Sequence, residues 1–200
     1  GSGHTRSDHC AGPHGQGRAH ADDGRPVTVR RRALERHRRI GDRAWSTRLL
    51  NTLGWCHAEI GDHAGARVFN QSAAGVAREL GDTEIIVNAE INLSLNQLAL
   101  GNLAQAQAGL AALASAPPPE FPFMRWRYAM HLDDALGRVA LARGEPATAL
   151  DHAEREIAAA RRHAAAKLEA RALVLRAQAL AALERRDEAL AATADLLAIA

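Results

Sequence analysis

The sequence predicts an all-α protein, an α-solenoid of about nine helices arranged as antiparallel pairs. Alanine occupies 45 of the 200 positions, and alanine has the highest helix propensity of any residue. Aromatic residues make up only 4% of the chain, and β-branched residues are scarce, so a sheet core is not favoured. Small-residue turns also recur at a regular spacing, which is the sequence signature of a repeat architecture.

The repeat is defined by turns that are followed by an alanine five positions later. These turns begin at Gly61, Gly101, Gly144 and Glu184, so their spacings are 40, 43 and 40 residues. A second set of turns, at Gly41-Asp42 and Gly81-Asp82, has the same 40-residue spacing. Glycine ends a helix by adopting the left-handed conformation, and the aspartate caps the next one. Each period therefore contains two helices.

This period divides the chain into a tail and an array. Residues 1–26 are rich in glycine and histidine without apolar periodicity, and such composition predicts a disordered tail. The array spans 27–200, with a half repeat at 27–42 and repeats at about 43–82, 83–116, 123–163 and 164–200. The predicted helices are 29–40, 43–60, 63–80, 83–100, 103–115, 123–143, 146–163, 164–183 and 187–199.

The repeated residues resemble the tetratricopeptide repeat (TPR) family. Leu53-Gly54 is followed by Ala66 and Ala73, and Leu136-Gly137 by Ala149. The other two repeats depart from this pattern, with Leu93-Ser94 and Arg176-Ala177. The 40-residue period is similar to the extended repeats of bacterial ATPase-linked regulators, either maltose-activator-like or cyclase-linked. The resemblance implies a right-handed superhelix whose inner surface is lined by the first helix of each pair.

The same resemblance implies a groove that binds a peptide or protein segment. Its positions fall on polar residues of the first helices: Arg48, Asn51, Trp55, Glu59, Asn88, Asn92, His131, Asp134, Arg138, Arg171 and Gln178. The alternative is an ordinary solvated face. A carboxylate clamp is not expected, because Ile91, Leu95, Asp134 and Val174 occupy the corresponding later positions. An acidic segment could still pair with the arginines.

Two functional hypotheses follow. The first is an interaction scaffold that binds a protein segment. The second is a regulatory, effector-sensing repeat segment of a larger ATPase-linked transcriptional or cyclase signalling protein. An enzyme is not expected, because no nucleophile, base and orienting group occur together. The single lysine, Lys167, lies outside any phosphate-binding loop, so no nucleotide or other cofactor is predicted.

The proline-rich segment 116–128 interrupts the helical pattern before the third repeat. It contains Phe121, Phe123 and Trp126. These aromatic residues either fill the gap between the second and third repeats or form an interaction hot spot.

The two ends of the chain carry weaker signals. His4, His9, Cys10, His14 and His20 are metal-ligand residue types without apolar support, so no metal site is predicted. The seven arginines of 25–39 are interpreted as a solvated half repeat, and nucleic acid is not an expected partner.

The widely separated Cys10 and Cys56, and the lack of a long apolar run, predict a cytoplasmic protein. The apolar end of the last helix predicts either a continuing sequence or self-association.

Overall fold

A computed structural model describes residues 25–116 and 125–199. Within these ranges the chain forms nine α-helices joined by short turns, apart from the connection between the fifth and sixth. The helices are α1 (Arg25–Arg39), α2 (Arg43–Glu59), α3 (His63–Leu80), α4 (Thr83–Ala99), α5 (Leu103–Ser115), α6 (Arg125–Ala142), α7 (Pro146–Arg162), α8 (Ala166–Ala182) and α9 (Arg186–Ile199). The prediction of an all-α array of nine helices is confirmed. Residues 1–24 of the predicted tail (1–26) lie outside the described part of the chain, and its last two residues belong to α1.

The predicted Gly-Asp turns form helix boundaries. Gly41 and Gly81 both have positive φ angles, of 73° and 68°. Asp42 and Asp82 then cap α2 and α4, because their side chains accept hydrogen bonds from the backbone N–H groups of Trp45 and Ile85. Each cap satisfies a donor that has no partner within the helix. The left-handed turn and the aspartate cap together reverse the chain and start the next helix.

The nine helices pack sequentially, each against its neighbours in the chain. Helices α2, α4, α6 and α8 also contact one another in that order. Among the described residues, α3, α5, α7 and α9 contact only helices adjacent in sequence. The even-numbered helices therefore form a close inner layer, and the odd-numbered helices spread apart on the outer side. The array is an α-solenoid in which the first helix of each pair faces inward.

Small residues allow the paired helices to approach closely. Ala66, Ala106 and Ala149, which follow the repeated turns, are all fully buried, and Ala189 is half-buried. Larger side chains such as Leu53 fill the space between the helices. The core consists of successive clusters along the array, and each one joins neighbouring helices. This arrangement is typical of repeat proteins, in which each unit contacts only its neighbours.

Candidate functional site

Two adjoining cavities lie on the inner layer. The N-terminal cavity, of about 370 Å³, is bordered by α1, α2, α4 and α6. The C-terminal cavity, of about 490 Å³, is bordered by α2, α4, α6 and α8, with His63 at the start of α3. Trp55, Asn92 and His131 line both cavities. The two cavities therefore adjoin along the inner face of the array, and together they are called the groove.

The structure brings together nearly all the residues that the sequence assigns to the groove. Six of them line the N-terminal cavity: Arg48, Asn51, Trp55, Asn88, Asn92 and His131. The C-terminal cavity includes Glu59, Arg138, Arg171 and Gln178 in addition to the three shared residues. Only Asp134 is placed differently. Its side chain is 1% exposed and lies beneath the groove surface.

Asp134 supports the groove from below. One carboxylate oxygen accepts a hydrogen bond from Nε of Arg138 at 2.7 Å, and the other accepts from Nη2 of Arg171 at 2.6 Å. One buried carboxylate thus fixes two guanidinium groups that come from neighbouring helices, α6 and α8. Hydrogen bonds in which both partners are charged are the stronger kind in proteins. Asp134 is therefore a positioning residue rather than a surface contact.

Side-chain amides connect α2 and α4 in the N-terminal cavity. The Nδ2 atom of Asn92 donates a hydrogen bond to Oδ1 of Asn51 at 3.1 Å. Asn88 donates to the backbone carbonyl of Glu84 at 2.8 Å. Every amide side chain has two donor hydrogens and an acceptor oxygen, so each of these residues keeps further hydrogen-bonding capacity. The cavity thus has donors and acceptors of the kind that pair with a peptide backbone.

Charged groups at the edge of the N-terminal cavity are paired. Arg48 lies within 3.4 Å of Asp82 and within 3.3 Å of Glu84, on the adjacent turn and helix. About two-fifths of the Arg48 side chain is exposed, which lets water screen these contacts. An acidic ligand at this end of the groove has to compete with the protein's own carboxylates for Arg48.

Lys167 links the two sides of the groove. Its ammonium group, on α8, lies 4.2 Å from the centre of the Trp55 ring on α2, which is a cation–π distance. The same group lies 3.8 Å from the carboxylate of Glu59. The array therefore curves enough for the start of its fourth pair to reach its first. The sequence contains no local signal for this contact, because it depends on the curvature.

His131 lies where the two cavities meet. Its Nε2 atom accepts a hydrogen bond from Nε of Arg127 at 3.2 Å. Burial, together with the positive charges of Arg127 and Arg171, lowers the pKa of His131 to about 4. The imidazole is thus neutral near pH 7, and the positive charge of the groove comes from its arginines.

Asn96 lines the C-terminal cavity and carries a buried polar atom that has no hydrogen-bond partner. The side chain is 1% exposed, and its Oδ1 lies 3.2 Å from Nδ1 of His63. Its Nδ2 has no hydrogen-bond partner. A buried amide N–H without a partner costs roughly 1–3 kcal/mol. Sequence reasoning missed Asn96, although it lies four residues after Asn92, on the same side of α4.

Trp126 serves packing within the described structure. Its ring stacks on His163 at a centroid distance of 4.6 Å and packs against the cluster of Met130, Ala160 and Leu168. This cluster joins α6, α7 and α8, so the ring fills space in the third and fourth pairs rather than between the second and third. Phe121 and Phe123 lie outside the described residues.

No group of three or more His, Cys, Asp or Glu side chains is placed to hold a metal ion within residues 25–116 and 125–199. The histidines of the first 20 residues and Cys10 lie outside these ranges. In the same ranges, none of the helices is both long and apolar enough to cross a membrane. Comparison with models of protein families and with curated proteins finds no match to this chain.

Proposed function

We propose that this chain is a TPR-like interaction scaffold that binds an extended peptide or protein segment in the groove of its inner face. The observation that carries the proposal is that the two cavities adjoin along the inner layer and share the lining residues Trp55, Asn92 and His131. A groove that follows successive helices suits a linear ligand, because each helix pair adds contacts to the next part of the segment. No catalytic role and no cofactor are part of this proposal.

The TPR-like assignment is supported by the packing of the repeated small residues. Gly54 lies so close to Asn70 of the paired helix that a Cβ atom at this position would overlap the amide. Ala66 and Ala73, which lie on this paired helix α3, are fully buried. These are the positions at which the tetratricopeptide pattern has small side chains.

The amide groups of Asn51, Asn88 and Asn92 favour recognition of a peptide backbone, which presents one donor and one acceptor per residue. Trp55 adds a large, half-buried apolar surface at the junction of the cavities. Affinity then comes from backbone hydrogen bonds, and specificity comes from side chains that enter the C-terminal cavity.

A library of random peptides displayed on phage tests this proposal. Peptides selected on the full chain should bind at least about tenfold more weakly to a double variant with Asn51→Ala and Asn92→Ala, because about 1.4 kcal/mol of hydrogen bonding is lost. The matched control is Gln71→Ala with Asn102→Ala, since both residues are exposed and line neither cavity. Peptides whose affinity is the same for both double variants would refute the groove as the binding surface.

The second candidate function is effector sensing within a larger ATPase-linked regulator. The size and the apolar lining of the C-terminal cavity favour it, because small-molecule sites are typically apolar clefts or cavities of about 300–1,000 Å³. The full-length coding sequence separates the two candidates. An adjoining nucleotide-binding module supports the regulator, and a short stand-alone reading frame contradicts it.

Self-association through the last helix remains a prediction. Leu190 and Leu197 of α9 are 69% and 72% exposed, and their spacing of seven residues places them on one face of the helix. Light scattering should show a concentration-dependent dimer that Leu197→Glu abolishes. A stable monomer at high concentration would contradict this prediction.

A further inference from the structure

The C-terminal cavity combines an apolar surface with a fixed cationic end. Leu95, Leu98, Leu141 and Trp55 supply the apolar lining, and Arg138 and Arg171 supply the cations. Each guanidinium group donates one hydrogen bond to the buried carboxylate of Asp134. Because each guanidinium has five N–H donors, others remain to bind a ligand.

The local charges leave a positive excess at this end. Two arginines share the single negative charge of Asp134, so the cluster has a net charge of +1. Glu59 also lines the cavity, but its carboxylate is paired with Lys167. His131 and Glu156 add no charge near pH 7, since the pKa of His131 is lowered to about 4 and the pKa of Glu156 is raised to about 9. The cavity is thus complementary to one negative charge.

Asn96 also lines this cavity, and its Nδ2 is a donor buried beneath the cavity surface without a hydrogen-bond partner. The cavity itself therefore presents an apolar wall and a pair of preorganised guanidinium groups. Preorganisation matters because ordering a flexible arginine on binding costs affinity.

We propose that the C-terminal cavity binds a small organic carboxylate, in which an apolar chain of about eight carbons contacts the leucines and the carboxylate pairs with Arg138 and Arg171. A cavity of about 490 Å³ has room for such a molecule. The carboxylate accepts charge-assisted hydrogen bonds from arginines that Asp134 already holds in position. This proposal goes beyond peptide binding and does not depend on it, because the free acid needs no peptide backbone.

Isothermal titration calorimetry of the full chain with octanoate tests the proposal, at concentrations at which octanoate forms no micelles. Octanoate should bind saturably with one site per chain. Octan-1-ol, which lacks the charge, and acetate, which lacks the apolar chain, should each bind at least about tenfold more weakly. No saturable binding of octanoate, or equal affinity for octan-1-ol, would overturn the proposal.

Two variants locate the site. Arg171→Gln should weaken octanoate binding at least about tenfold. The control is Arg161→Gln, which should leave octanoate binding unchanged, because Arg161 is exposed and lines neither cavity. Because Arg171 also supports Asp134, Ala99→Phe provides a test that alters no charge. Ala99 is exposed and lines the C-terminal cavity, so a phenylalanine there should obstruct it.

Ala112→Phe on the outer helix α5 is the matched control for Ala99→Phe, since Ala112 is exposed and lines neither cavity. Octanoate binding that survives both Ala99→Phe and Arg171→Gln would place the ligand elsewhere and refute the assignment. Peptides that bind the groove while octanoate does not would refute this inference alone.

Discussion

Nη2 of Arg171 on α8 lies 2.6 Å from Oδ2 of Asp134 on α6. The two residues differ in exposure, because 22% of the Arg171 side chain is accessible and only 1% of the Asp134 side chain. Arg138, which binds the other oxygen of Asp134, is 38% accessible. The two guanidinium groups of this network are therefore partly accessible to water, and the carboxylate is not.

This asymmetry predicts unequal effects on stability. Replacing both arginines, as Arg138→Gln with Arg171→Gln, leaves a buried carboxylate without a cation and should cost about 3 kcal/mol or more. Asp134→Asn leaves two guanidinium groups that water can solvate, and it should cost about 1–2 kcal/mol. Urea unfolding at pH 7 measures both free energies. Equal losses would show that Asp134 is more solvated than the structure indicates.

Glu156 on α7 predicts a pH-dependent stability. The side chain is fully buried, and both carboxyl oxygens lack hydrogen-bond partners. Burial, reinforced by the nearby Asp134, raises the pKa of Glu156 from 4.5 to about 9. Between these two values the folded chain keeps a proton that the unfolded chain releases. The contribution of Glu156 to stability is therefore present below pH 4.5 and is lost as the pH rises towards 9.

Glu156→Gln removes this titration. The advantage of the variant over the parent chain should grow by about 1 kcal/mol per pH unit between pH 5 and 9. Chemical unfolding of both proteins at several pH values measures the difference in their free energies of unfolding. The other titrating groups contribute equally to both proteins and do not affect this difference. Glu154→Gln on the same helix is the control for the loss of a carboxylate, because the Glu154 side chain is 57% exposed. Parallel curves for Glu156→Gln and the parent would contradict the prediction.

The turn before α8 contains backbone strain that a single substitution can relieve. Ala164 has a φ angle of +50° at the position where the equivalent turn before α7 has Gly144. Side chains other than glycine are disfavoured there by about 1 kcal/mol. Ala164→Gly should raise the free energy of unfolding by about 0.5–1 kcal/mol, as measured by thermal unfolding.

Two controls fix the sign of this effect. Gly144→Ala introduces the same strain and should destabilise by a similar amount. Ala158→Gly, at an exposed position within α7, should destabilise by roughly 0.5–1 kcal/mol through lost helix propensity. Destabilisation by Ala164→Gly would mean that the turn does not require the left-handed conformation.

Local signals allow much of this fold to be predicted from the sequence. The predicted bounds of α3 and α5, 63–80 and 103–115, agree with the structure, because a Gly-Asp turn precedes α3 and a Gly-Asn turn precedes α5. The start of α8 is predicted at residue 164 and lies at Ala166. The left-handed residue there is an alanine, so the composition of the turn does not reveal it. Helix α1 begins at Arg25, two residues before the predicted start of the array.

The candidate groove was predictable to the extent that it follows helical periodicity. Polar residues spaced along the first helices, such as Asn51 and Gln178, line the cavities as expected. The remaining features of the site depend on tertiary contacts. The sequence does not show that Asp134 lies beneath the surface, or that Glu156, between an arginine and an isoleucine, is fully buried. The contact of Lys167 with Trp55 requires the curvature of four helix pairs.

The close packing of α7 and α8 around Gly137 gives the last prediction. A Cβ atom at Gly137 on α6 would lie 2.5 Å from Cδ2 of Leu175 and 3.1 Å from Cβ of His152. Leu175 is 1% exposed and cannot move without disturbing the core. Gly137→Ala should therefore cost about 1–3 kcal/mol. Gly75→Ala, whose Cβ would have no neighbour within 4 Å, should stabilise by about 0.5–1 kcal/mol through helix propensity. Thermal unfolding of both variants measures the contrast, and a stabilising Gly137→Ala would show that the inner helices are less closely packed than the structure indicates.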